Sequence, residues 1–133
     1  MNMESLKNAV ALGARGAPVL LATADAQGLP HIAVAGVISL ESGNRVALSA
    51  WFCPGTVANL DVNAKMAVAV WDPQKDTGFQ LFGTSEGVID LSMMDGYSPE
   101  IEGRSLPQTE RKVVVRVDGI VGFSSAPHND VEE

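Results

Sequence analysis

Residues 49–71, SAWFCPGTVANLDVNAKMAVAVW, decide how this chain folds. An apolar strand through Trp51 breaks at Phe52-Cys53-Pro54-Gly55, Thr56 opens a short helix, and a second apolar strand runs from Met66 to Trp71. The first N–H groups of a helix have no acceptor inside it, and a Thr at its start is placed to cap them. A strand, a Pro-Gly loop and a helix opened by Thr56 therefore outline an anion-sized pocket of backbone donors, the right size for a phosphate. Thr56 to Asn63 is too short for an independent helix, so packing on a sheet must hold it.

Upstream of this stretch, Pro18 to Thr23 reads as a buried strand and Asp25-Ala26-Gln27-Gly28 as a tight turn. His31 to Leu40 is the returning strand, Glu41-Ser42-Gly43-Asn44 a second turn, and Arg45 to Trp51 a third strand, so the chain meanders into the loop. Before them, Glu4 to Arg15 places Leu6, Ala9, Val10 and Gly13 on one helical face and ends near Gly16. Downstream, Met66 to Trp71 is strand four, Asp72 to Asp76 a polar break, and Gly78 to Ile89 strand five, bent by Gly83 and Gly87. Leu91 to Gln108, with Met93, Met94, Tyr97, Pro99 and Pro107, has no clean period and reads as a helical turn plus irregular loop. Lys112 to Phe123 is strand six, and an acidic tail over 127–133 is expected to be flexible and solvated. Six short strands with a curved fifth point to a small antiparallel barrel, mainly β with short flanking helices, in a single domain over 1–133.

Composition narrows the function classes. A chain of 133 residues buries roughly two-thirds of its unfolded surface, enough for one core without staples. No apolar run approaches the ~20 residues of a bilayer-spanning helix, and Glu4 beside Lys7 argues against a signal peptide. Cys53 is the sole cysteine, which rules out an internal disulfide and suggests a cytoplasmic protein. A net charge of −7 argues against nucleic acid as a partner. No Gly-rich dinucleotide fingerprint, Walker pattern or zinc spacing occurs, and no acid–base pair or activated nucleophile stands out, so catalytic residues are unassigned and no metal site is expected.

Four pieces of the chain, in order, carry a resemblance: Leu20 to His31 (LLATADAQGLPH), Gly55 to Leu60 (GTVANL) with Asn63, Ala67 to Val70 (AVAV), and Gly78 to Thr84 (GFQLFGT). Together they resemble the FMN-binding split barrels related to pyridoxamine 5'-phosphate oxidase, most nearly the small single-domain FMN-binding proteins of that group. The resemblance covers Pro18 to about Phe123. It implies a six-stranded antiparallel split barrel, assembled as a homodimer with two FMN molecules in the clefts between subunits. It implies that the phosphate is held at Gly55 and Thr56, and that the flavin ring lies along Val34, Ala35, Gly36 and Val37 and along Ser49, Ala50 and Trp51. Asn59 and Gln80 complete the set of cofactor-binding candidates.

One departure from the family matters. Many relatives carry Lys or Arg immediately before the helix-opening Thr, where this chain has Gly55. A helix end contributes only ~0.3 to 1 kcal/mol to an anion, whereas micromolar binding needs about 8 kcal/mol. Ring burial or a distant cation must then supply the rest, and Lys65, Arg45 and Lys112 are the candidates. Each chosen residue also has a plainer reading. Thr56 is an N-cap in any case, Asn59 ties the helix to a neighbouring loop, and Trp51 and Trp71 complete a core or an interface as readily as they stack on a ring. Cys53 reads as a packed thiol, His31 as an edge imidazole and His128 as part of the tail; Gln80 and Thr84 alternate along strand five.

The resemblance implies a flavoprotein that moves hydride or electrons between a reductant, such as a nicotinamide cofactor, and a small acceptor. Two alternatives stand beside it: a non-catalytic flavin-binding module, and a barrel that binds haem or a deazaflavin or serves as a cofactor-free dimeric scaffold. Vitamin B6 phosphate oxidation is disfavoured, because an acidic segment, Ala126 to Glu133, replaces the basic C-terminal substrate-binding segment.

Overall fold

A computed structural model describes residues 1–93, 109–127 and 129–133. Helix α1 (Met3–Ala14) starts on Asn2, whose side chain accepts from the Glu4 N–H at 2.8 Å, and ends before Gly16 at φ 103°. Seven strands follow: β1 (Val19–Ala24), β2 (Pro30–Ala35), β3 (Val37–Leu40), β4 (Arg45–Trp51), β5 (Lys65–Asp72), β6 (Thr77–Met93) and β7 (Thr109–Gly122), with helix α2 (Pro54–Val62) between β4 and β5. They form one curled antiparallel sheet in the order β2-β1-β5-β6-β7-β4-β3.

The sheet has seven strands where six were expected, because the strand expected over 31–40 divides at Gly36. Its first half pairs with β1 and its second with β4, so the two edges of the sheet are consecutive in sequence and meet at that glycine. The Gly36 N–H donates to the carbonyls of Ser49 (3.2 Å) and Ala50 (3.0 Å). A Cβ on Gly36 would stand 2.8 Å from that of Ala50, closer than two carbons approach. Ala50 itself has φ 59°, and the β4–β7 register shifts between Leu48 and Trp51, which marks a bulge that turns the strand toward the seam.

The expected bend of the fifth strand is present: the β6–β7 register shifts at Phe82/Gly83 and at Ser85/Val88, the latter beside Gly87 at φ 133°. A Cβ on Gly83 would overlap the Arg116 carbonyl. The strand also runs longer than expected. Leu91 to Met93 belong to β6 rather than to an irregular segment, because they keep pairing toward Thr109; the rest of that expectation, 94–108, lies outside the described residues.

Inward-facing Val19, Leu21, Val46, Leu48, Trp51, Val68, Val70, Leu81, Val113, Val115, Val117 and Ile120 make the core, and Leu6 and Ala9 of α1 close one side of it. The alternate positions form two rows across the outer face, Val34-Leu20-Ala69-Gln80-Val121 and Ile32-Ala22-Ala67-Phe82-Gly119. These two rows are apolar apart from Gln80, yet Ile32 is 65%, Val34 64% and Phe82 40% exposed. Residues 127 and 129–133 of the acidic segment are solvent-exposed, and backbone hydrogen bonds hold its last residues. Gly122 N–H donates to Val131 (2.9 Å), Glu133 N–H to Ile120 (2.9 Å) and Asn2 N–H to Glu133 (3.3 Å).

Candidate functional site

Helix α2 is capped three residues earlier than expected. Cys53, not Thr56, is the N-cap, and Pro54 takes the first helical position, where its fixed φ is preorganised and its missing N–H costs nothing. Thr56 is therefore the third helical residue. It is fully buried, and its Oγ1 has no hydrogen-bond partner among the described residues. The capping role expected of its side chain is absent, since no side chain caps this helix.

The cap position brings together two residues that lie 22 apart in sequence. His31, at the start of β2, sets its Nε2 3.1 Å from the Cys53 sulfur. The same ring lies against Gly55: a Cβ there would stand 3.3 Å from two of its atoms and would press the imidazole back by a few tenths of an ångström. Burial pushes the Cys53 thiol up. The His31 ring, the Thr56 N–H and hydroxyl and the Gly55 N–H outweigh that and lower it to about 7. The Thr56 hydroxyl thus lies close enough to the sulfur to favour a thiolate while making no hydrogen bond to the thiol.

Asn59 ties this corner to the sheet, its Nδ2 donating to Thr23 Oγ1 at 3.0 Å, and Thr23 is the cross-strand partner of His31. Asn59 thus ties the helix to strand β1, where a neighbouring loop was expected. The remaining sites fall around the seam. Val34 and Val37 (50% exposed) point outward with Gly36, while Ser49 and Ala50 are half-buried beside them. Ala35 and Trp51 face the core, and the Trp51 indole donates to the Leu48 carbonyl at 2.9 Å, so these two reach the surface only through their backbone. Gln80 lies in the Val34 row of the outer face, three strands away. Trp71 stands edge-on to Phe123 and donates to Asp76 at 3.1 Å, lining a separate cavity of about 350 Å³ with Leu20.

The candidate cations separate equally clearly. Arg45 is engaged by Glu86 at 2.6 Å, a contact that raises the guanidinium and lowers the carboxyl, and Lys112 faces Glu41 at 3.9 Å. Lys65 lines a trough of about 470 Å³ with Thr23, Ala22, Phe82 and Asp118, which places it nearest to the residue that Asn59 holds. Among the described residues no cluster of three or more His, Cys, Asp or Glu could hold a metal ion.

Tested against a flavin phosphate, the α2 corner offers fitting donors: two N–H groups, the unpartnered Thr56 hydroxyl and the His31 ring. It offers no Lys or Arg, and the Cys53 sulfur already faces those donors. The Cys53–His31 pair was not legible in the sequence. Its one signal is Pro54, whose preference for the first helical position makes Cys53 the cap.

No family model matches the chain, and no curated protein matches it. Solved structures do. An FMN-binding protein from Syntrophomonas wolfei is 19% identical over 95% of this chain and 90% of its own, with a TM-score of 0.68. HupZ of Group A Streptococcus is 20% identical over 94% and 97%, TM-score 0.63. A pyridoxamine 5'-phosphate oxidase-related, FMN binding protein from Nostoc punctiforme is 12% identical over 91% and 83%, TM-score 0.62. With these structures matched over nearly its whole length, the chain has the split-barrel fold of the pyridoxamine 5'-phosphate oxidase-related FMN-binding proteins.

Proposed function

We propose that this chain is a homodimeric flavin-binding protein that takes FMN in a cleft between two copies. The observation that carries the reading is a helix start rich in anion donors beside an exposed apolar strand surface, in a fold whose solved examples include proteins described as FMN-binding. The ring would lie on Val34, Gly36, Val37, Ser49 and Ala50, with Ala35 and Trp51 contributing backbone and Gln80 reached across the outer face. The phosphate would take the donors of Gly55 and Thr56, displacing the Cys53 sulfur from them. The second copy would cover the Ile32, Val34 and Phe82 face.

A bound flavin supplies hydride and single-electron chemistry. The chain's own part is to bind, orient and shield it, so the oxidoreductase reading, with a nicotinamide reductant and a small acceptor, follows from flavin retention. Cys53 as a free thiol suits a reducing compartment such as the cytoplasm. A second reading, a dimeric scaffold without flavin, is favoured by one observation: the corner has no Lys or Arg where a phosphate needs one.

Titration of the purified protein with FMN, followed by flavin fluorescence, decides between them. Flavin retention predicts a dissociation constant of roughly 1–10 µM, weakened about fivefold or more in Thr56→Ala by loss of one donor to a charged group. A colourless protein that leaves FMN fluorescence unchanged up to about 1 mM, an affinity near 4 kcal/mol, overturns the flavin reading. Stopped-flow reduction by NADH or NADPH then separates enzyme from carrier, since saturable reduction is expected only of an enzyme.

A further inference from the structure

Cys53 is a free thiol that the flavin reading leaves without a task. It stands at the cap of a nine-residue helix whose first available N–H groups, those of Gly55 and Thr56, both favour a negative sulfur. His31 reaches it from another strand at 3.1 Å. Thr56 adds an independent observation: its hydroxyl is fully buried, has no partner among the described residues, and faces the sulfur. A buried hydroxyl loses its hydration on folding, and here it regains a partner only when an anion or a new oxygen appears at the sulfur. Cys53 as a residue is half-buried.

We propose that Cys53 is a modification site for small hydroperoxides, with His31, Thr56 and the first turn of α2 as the groups that support its thiolate. The sulfur attacks one peroxide oxygen; the S–O bond forms as the O–O bond breaks. Sulfur gives up two electrons, and the other oxygen leaves as hydroxide or alkoxide, taking a proton from solvent. The product is a sulfenic acid whose oxygen accepts from the Thr56 hydroxyl. The chain has no second cysteine, so no internal disulfide can follow. A low-molecular-weight thiol condenses with the sulfenic acid, releasing water and leaving a mixed disulfide, and a second equivalent of that thiol restores Cys53 by exchange.

The inference does not rest on the flavin reading, but a bound phosphate would take the same Gly55 and Thr56 donors, so the test uses protein without flavin and does not read flavin. Among the described residues, His31 from β2 is the titratable group that faces the sulfur; α2 presents the uncharged Gly55 and Thr56. Alkylation by iodoacetamide across pH 5–10, followed by intact mass, should show a midpoint near 7. Hydrogen peroxide with a cyclic 1,3-dione trap should give one adduct per chain, absent in Cys53→Ser. His31→Gln and Thr56→Val should each raise the midpoint and slow alkylation at pH 7, roughly fivefold for a displacement of one pH unit from a midpoint near 7. Circular dichroism and the unchanged alkylation rate of the unfolded chains separate lost support from lost fold. An alkylation midpoint at about 8.5, the value of an ordinary free thiol, or folded variants that react as the parent does, would overturn it.

Discussion

A thiol at the cap of α2 has a thermodynamic consequence as well as a chemical one. The Cys53 thiol ionises at about 7 in the folded chain, below its ordinary range near 9. Between those values the unfolded chain holds a proton that the folded chain has released, so stability rises with pH through that window and the gain is lost as pH falls through about 7. Thermal unfolding of the parent and Cys53→Ser at pH 6 and pH 9 should show a difference that widens in the parent's favour at the higher pH. A constant difference would mean that sulfur and helix start do not interact. The same scale shows what a sequence conceals. Pro54 signals the helix start, but the His31–Cys53 contact depends on the β1–β2 register and on where α2 lies across it, and neither is local. Gly55 reads in sequence as the loss of a cation, and in space lies against an imidazole.

Among the elements, the seam at Gly36 governs the shape of the sheet. β2 and β3 are one run of chain that changes neighbours at a single residue, and the change is feasible because nothing projects from Gly36 toward Ala50. Gly36→Val puts three carbons into that contact and should destabilise the protein by about 2 kcal/mol, the ordinary cost of overpacking. Urea unfolding measures it, and an unchanged midpoint would show that the edges do not meet there. Most of the strands were legible because their apolar residues alternate against a single core and their turns carry Gly and Asn. The seventh strand was not, since the run from His31 to Leu40 is almost wholly apolar, and Gly36 within it does not say that the pairing partner changes. The length of β6 was hidden for a related reason: Leu91 to Met93 are held by β7, a partner that no local pattern announces.

For the molecule as a whole, the decisive quantity is the apolar surface left on the outer face. Ile32, Val34 and Phe82 stand exposed on neighbouring rows whose other members are mostly Ala, Leu and Gly, an apolar surface suited to a second copy. Sedimentation should therefore give twice the 14.0 kDa chain mass, and Ile32→Asp should shift the protein to a monomer of unchanged circular dichroism. A parent that sediments as a monomer at tens of micromolar would remove the cleft on which the flavin reading depends. The hydrogen bond from Asn2 to Glu133 carries a different implication. Positions 2 and 133, far apart in sequence, lie side by side next to α1, so a pair of probes attached there should report unfolding as their separation.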